Sequence, residues 1–306
     1  MDQDKVNRRQ FMRKSATFAG TAWLATYAPS LFAETPRYAS DLVPLGKTGL
    51  KLSRLGFGTG SNNGQILRDL GMDQAVRLLQ YAFDQGITYI DTAENYHTHP
   101  IVAQAIKGMP REKFFIQTKI PGVPDRPLEV LDRYRKELGV DYIDSVLLHC
   151  MEKSNWDKTH RSVMDALIEA KEKGMIRAHG VSCHMHGAVT KAAQLDWVDV
   201  NLVRFNPQAV CCDKRRGFWV GPSNQKDLEY TMSQMKIMRN NKHGIIGMKI
   251  IGNGEFTRAE DREKSIRFAM QPGLVDAVVI GFKNTAEVDE AITRINNALA
   301  AGDEQT

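Results

Sequence analysis

From residue 55 onward, apolar positions fall into two alternating rhythms. Short runs with few polar interruptions occur at Leu55-Gly-Phe-Gly58, 88–91, 114–119, 142–148, 178–182, 199–205, 244–249 and 277–280. Each has the length and bounding turns of a buried strand. Between them lie stretches whose apolar residues recur every three to four positions. The clearest is 73–85, with Ala75, Val76, Leu78, Leu79, Ala82 and Phe83 on one side. Asp73 is read as its cap and Gly86 as its end. Further helices are expected near 100–107 and over 127–138, 159–173 (stopped by Gly174), 186–194, 225–240, 259–269 and 285–299. Ahead of this series, Leu42–Leu45, the glycine turn Gly46–Gly49 and Leu50–Ser53 read as a β-hairpin.

Strands that are apolar throughout and separated by amphipathic helices belong to a parallel sheet covered on both faces. Eight such units close into a (β/α)8 TIM barrel. The hairpin is extra to that count and is placed to plug the N-terminal end. No linker or second domain interrupts 34–306. The longest irregular stretch is Pro207–Asn224.

Charge changes the picture only at the start of the chain. The whole sequence carries +5. Five Lys/Arg against two Asp/Glu in residues 1–33 account for +3 of it, leaving +2 for the rest. The basic balance therefore gives no case for nucleic-acid binding. Residues 1–33 read as an export signal: Arg8-Arg9 with Phe11 two positions on, an apolar run from Ser15 to Ala28, then Ala33. This pattern resembles the twin-arginine signal, although Asn7 and Arg13 depart from the usual residues. It implies passage of a folded chain through the twin-arginine machinery to the periplasm. Cleavage after Ala33 would leave no stable membrane span, and an uncleaved, tethered form is the alternative. The four cysteines, Cys150, Cys183, Cys211 and Cys212, have neither disulfide-framework nor iron–sulfur spacing.

In a barrel of this kind, chemistry gathers where the strands end. Asp91 ends the second strand, Lys119 the third and His149 the fourth, with Tyr96 in the loop after Asp91. A carbonyl that gains a hydride needs a proton on its oxygen. Tyr96 can donate it, Lys119 would lower the phenol's pKa, Asp91 would fix the lysine, and His149 would orient the carbonyl. His97-Thr98-His99 and Cys183-His184-Met185-His186 are read as rim residues of the substrate pocket, so no metal is assigned. Arg215 to Trp219 suits a polar, ring-shaped substrate, or else forms a surface loop packed by its own aromatics.

The sequence resembles an aldo-keto reductase over roughly Leu42 to Ala300. The resemblance rests on Leu45–Leu50, Leu55–Thr59, Gly86–Tyr96, Thr118-Lys119 and Asp141–His149. It implies the tetrad Asp91, Tyr96, Lys119 and His149 with Tyr96 as general acid. It also implies NAD(P)H held without a Rossmann domain, and a carbonyl or sugar-like substrate. Gly58 and Thr59 then belong to the turn beneath the nicotinamide. Ser182 matches the family's Ser-Asn pair, but Cys183 replaces the Asn. Leu202 stands where a Gln faces the nicotinamide. Lys249 would reach the pyrophosphate. Gly281, Lys283, Glu287 and Glu290 open the last helix, a natural phosphate site. Glu287 aligns with the arginine that often grips the 2′-phosphate of NADP, while Lys283 pulls the other way, so no strong preference for NADP is expected and NAD is an open alternative. The cofactor, NADP or NAD, would be loaded before export and held tightly. The alternative is an exported nucleotide-binding or regulatory barrel without turnover.

Overall fold

The structure is a computed structural model that describes residues 37–215 and 223–303. The export signal expected at 1–33, and Arg216 to Trp219, lie outside the described residues. Strands β1 (Leu42–Pro44) and β2 (Lys51–Ser53) pair antiparallel. Strands β3 (Leu55–Gly58), β4 (Tyr89–Asp91), β5 (Phe115–Pro121), β6 (Ile143–Met151), β7 (Ile176–Cys183), β8 (Val200–Arg204), β9 (Gly244–Met248) and β10 (Ala277–Ile280) close a parallel barrel in chain order. The helices are α1 (Gln65–Asp69), α2 (Met72–Asp84), α3 (His99–Ile106), α4 (Pro127–Leu138), α5 (Trp156–Thr159), α6 (Arg161–Glu172), α7 (His186–Gln194), α8 (Gln225–Asn240), α9 (Ala259–Ala269) and α10 (Thr285–Asp303).

The barrel and its hairpin are those expected. Alternation along each strand divides the core in two. Outward residues such as Phe57, Ile90, Ile116, Val146 and Val181 pack against the helices. Inward residues form a separate cluster: Tyr89, Phe115, Leu147, Ala178, Val200, Leu202, Ile246, Ala277 and Val279. Leu45, Leu50 and Leu52 of the hairpin join this inner cluster and plug its lower end. Burying each of these leucines is worth roughly 1.5–3 kcal/mol. The plug sits close enough that a Cβ on Gly46 would fall 2.2 Å from the main-chain nitrogen of Gly244.

Three local differences from the sequence reading have physical causes. Gly71, at φ 75°, precedes the first turn of α2, and Asp73 lies inside that turn without capping it. The helix expected over 159–173 begins at Arg161, because His160 leaves helical geometry, and a separate one-turn helix, α5, ends just before it at Thr159. The short helix α1, which the apolar pattern does not mark, follows Gly64 at φ 81°.

Candidate active site

Asp91, His149 and Arg204 lie two residues beyond an inner-cluster residue on their strand, and Lys119 and Ser182 lie four beyond, so all five point inward at the upper rim. Lys119 is the most tightly held of them. Its Nζ donates to both Asp91 oxygens and to the Thr92 carbonyl, each at 2.8 Å. Gln117 donates to Asp91 Oδ1 at 2.8 Å and to the Tyr89 hydroxyl at 3.0 Å. Lys119 is only 1% exposed. Burial alone would lower its pKa, but Asp91 and then Tyr96 overturn that and hold it above the usual lysine value.

Tyr96 ends a single 3₁₀ turn, Glu94–Tyr96, and reaches back over the rim. Its hydroxyl lies 3.5 Å from His149 Nε2, and the two rings meet edge to face. Lys119 Nζ is 4.9 Å from the centre of the Tyr96 ring. Three of the four expected members therefore converge at one point, with Asp91 anchoring the lysine from behind. The charge balance differs from the sequence expectation. Burial raises the Tyr96 phenol above its ordinary pKa, and Lys119 offsets only part of that. At neutral pH the group is a phenol, the protonation state a proton donor needs.

His149 is held neutral. Burial, and after it Lys119, lowers its pKa to about 3. Its Nδ1 is buried with no hydrogen-bond partner among the described residues. An orphaned N–H is costlier than an orphaned lone pair, so the proton belongs on Nε2. That tautomer donates toward the place where Tyr96 would meet a carbonyl oxygen.

The nucleotide side is more mixed. Ser182 is buried and inward-facing. Cys183 alternates outward into the shell between strands and helices. Gly58 and Gly281 make a close approach: a Cβ on Gly281 would fall 2.1 Å from Ser61 Oγ and 3.0 Å from the Gly58 carbonyl. The Thr59 hydroxyl is buried, donating to the Asp91 carbonyl at 3.1 Å and sharing a hydrogen bond with Thr98 at 2.8 Å. Its main-chain N–H also goes to the Asp91 carbonyl. Thr59 thus supports the rim from beneath. Lys249, at φ 62°, gives its Nζ to Asn253 at 2.6 Å. Lys283 is exposed, and its N–H donates to Glu287 Oε2 at 2.8 Å, while Asn284 Oδ1 accepts from the Glu287 N–H at 3.0 Å. Glu287 is therefore part of a reciprocal cap on α10. Both Glu290 oxygens are taken by Arg262, at 2.8 and 3.2 Å, and Arg294 joins them at 2.8 Å. Glu290 ties α9 to α10, a tertiary role that the sequence reading did not give it.

Two rim readings also change. His99 is buried and bonded to Glu137 and Thr118, away from the pocket. His186 stacks on Tyr230 with ring centres 4.1 Å apart. The sequence reading passed over Arg204, which is 1% exposed, with Nε 3.7 Å from Asp213 Oδ1. The period-two alternation from Leu202 was the signal for it. Burial raises Asp213 to about 7 despite Arg204. The strand β6 carries an irregularity between Leu148 and Met151, where Cys150 at φ 63° sets its sulfur 3.1 Å from His184 Nε2.

Gly60 was also missed as a site residue in its own right. A Cβ there would fall 2.5 Å from Cε2 and Cζ of Tyr96 and 3.0 Å from its hydroxyl. Gly60→Ala should push the phenol off His149 and lower kcat/KM by roughly 10²-fold, the scale of an ångström's misplacement. Steady-state kinetics beside a melting curve would check this, and wild-type kinetics would show that the ring has room to yield.

Comparisons with known proteins bear on the family and the fold. The sequence model of the Aldo/keto reductase family matches residues 54–298. A D-threo-aldose 1-dehydrogenase of a Pseudomonas species is 28% identical over 189 residues, covering 51% of this chain and 57% of that protein. An NADH-specific methylglyoxal reductase of Escherichia coli K12 is 31% identical over 170 residues, covering 46% and 51%. The chain spans about half the length of the curated relatives it matches. Among solved structures, an aldo-keto reductase from Pseudomonas aeruginosa superposes with a TM-score of 0.68 at 25% identity, over 86% of this chain and 99% of that one. With an eight-stranded barrel, an N-terminal plug and a family match across nearly all of the barrel, the chain belongs to the aldo/keto reductase family.

Proposed function

We propose that the protein interconverts a carbonyl and an alcohol with a nicotinamide cofactor, Tyr96 being the general acid. The observation that carries this is the convergence of the Tyr96 hydroxyl and His149 Nε2 at 3.5 Å, beside a lysine held by Asp91. The residues present fit a dinucleotide. The buried Ser182 faces the rim, and Gly281 lets the chain pass close against Gly58 and Ser61 on its way to the N-terminus of α10, the kind of helix end that takes a phosphate. Bound there, the reduced cofactor supplies the hydride. Neutral His149 donates from Nε2 and orients the substrate oxygen. Tyr96 gives that oxygen its proton. The Lys119 cation then stabilises the phenolate until solvent returns the proton. The names of the relatives, an aldose dehydrogenase and a methylglyoxal reductase, support a small polar aldehyde, ketone or sugar derivative as substrate.

Glu287 decides the expected cofactor preference. Its carboxylate, which accepts from the Lys283 N–H in the N-terminal turn of α10, would repel a 2′-phosphate brought to that turn and accept from a free ribose hydroxyl. NADH should bind at least as tightly as NADPH in a fluorescence titration. Tighter binding of NADPH by about tenfold, roughly 1.4 kcal/mol, would overturn the reading.

The export reading is part of the same proposal and rests on the sequence of residues 1–33. The folded, cofactor-loaded chain travels by the twin-arginine route to the periplasm. Replacing Arg8 and Arg9 by lysine should keep it in the cytoplasmic fraction, and unchanged periplasmic recovery would count against the signal. Absorbance of the purified protein in the reduced-nicotinamide band, before and after a carbonyl compound is added, separates turnover from a binding-only barrel. A band that never bleaches with any carbonyl favours the latter.

A further inference from the structure

Glu94 lies two residues before Tyr96, in the same 3₁₀ turn, and is no member of the tetrad. Both of its carboxylate oxygens are engaged. Oε1 accepts from Arg133, and Oε2 accepts from the Tyr134 hydroxyl at 2.6 Å. Arg133 also donates to Glu137 Oε1 at 2.7 Å. Glu137 Oε2 meets His99 Nδ1 at 2.7 Å, and His99 Nε2 meets the Thr118 hydroxyl at 2.9 Å. His99 follows Tyr96 by three residues, and Thr118 is the neighbour of Lys119. Arg133, Tyr134 and Glu137 share one face of α4. Their rings and charges pack as a unit: His99 meets Tyr134 edge to face at 5.2 Å, and the Arg133 guanidinium lies 5.0 Å from the Tyr134 ring centre.

Both flanks of the Tyr96 turn, and the strand that carries Lys119, are thus fastened to a single helix outside the barrel. The turn needs such fastening. It has no side-chain cap, and His97 leaves it at φ 53°. The Arg68 guanidinium adds a tie by donating to the Tyr96 carbonyl. We infer that Glu94, Tyr134 and His99 are positioning residues that hold the Tyr96 phenol against His149 through α4. The inference rests on Tyr96 being the proton donor, but the clamp itself can be read without turnover.

A clamp and a mere stabilising contact make different predictions. The side chains of Arg133 and Glu94 are 44% and 29% exposed. Ion pairs so close to solvent contribute little to folding. Their geometric effect on a proton donor can be far larger, because reaction rate falls steeply with misplacement. Removing the charge at Glu94 should therefore change catalysis much more than stability.

The test uses Glu94→Gln and Tyr134→Phe in the full chain, beside Tyr96→Phe as reference. Each clamp variant is expected to lower kcat about tenfold, with NADH affinity unchanged and the melting temperature shifted by only a few degrees. Ultraviolet titration near the phenolate band, taken as the difference from Tyr96→Phe, reads Tyr96 directly. In both clamp variants its ionisation should move down toward the ordinary tyrosine value as the ring gains solvent. Should Glu94→Gln fail to fold, Tyr134→Phe carries the test alone. Wild-type kcat together with an unmoved Tyr96 titration in Tyr134→Phe overturns the inference. Full activity in Tyr96→Phe would instead remove the proton-donor reading, while the titration still reports whether the clamp holds the ring.

Discussion

Tyr96→Phe should lose carbonyl reduction by between about 10² and 10⁴-fold in kcat, the range a positioned general acid supplies. Binding of the nicotinamide and the melting temperature should stay near wild type. The reason is local. The ring fills the space above Gly60, and phenylalanine keeps that ring. The hydroxyl's contact with His149 is long, at 3.5 Å, and Lys119 beside it keeps its bonds to Asp91 and the Thr92 carbonyl, so removing the hydroxyl breaks no strong bond. The pH profile gives a second reading of the same residue. His149 titrates near 3, and burial raises Tyr96 above the usual phenol value. Neither group changes charge across the neutral range. The wild-type kcat of reduction should therefore run flat through neutrality and fall only at alkaline pH, as the phenol loses the proton it must donate. A limb near pH 6.5 would mean that His149 ionises in the working enzyme. Substantial turnover by Tyr96→Phe would show that another group, or water, protonates the oxygen.

The barrel was legible because its signal is redundant. Eight apolar runs separated by helical spacing leave few alternatives, and an error of one or two residues at any boundary does not alter the closure. Asp91, Tyr96, Lys119 and His149 were legible for a related reason: strand ends face the active rim, and three successive strands end in ionisable residues. What stayed hidden were features that depend on partners distant in sequence. Glu287 and Glu290 look alike on a helical pattern. One caps α10 through the Lys283 N–H, and the other binds Arg262 on the preceding helix. Thr59 reads as a residue of the cofactor turn until its hydroxyl is seen bonded to Thr98, 39 residues away. The sign of the Tyr96 shift was also out of reach. Proximity to lysine is visible in a motif, whereas the burial that outweighs it is a property of the assembled rim.

Lys119→Met should behave differently from Tyr96→Phe, because it leaves a charge behind. Asp91 is 5% exposed and takes two of its three side-chain donor contacts from Lys119, the third coming from Gln117. Removing one partner of a buried ion pair typically costs about 3–5 kcal/mol, since the remaining ion has lost its counter-charge but not its burial. For a barrel of this size that corresponds to a fall of roughly 10 °C in melting temperature. The Thr92 carbonyl loses its donor in the same step. Adding Asp91→Asn removes the stranded charge, keeps an acceptor for Gln117 and offers an amide N–H in place of the ammonium. The double variant should therefore recover much of the lost stability and none of the lost activity, because the cation beside Tyr96 is still missing. Calorimetry of wild type, both single variants and the double variant would close the cycle. If Lys119→Met melts with wild type, solvent reaches Asp91 at the rim, and the lysine's fixed position must come from the Thr92 carbonyl instead.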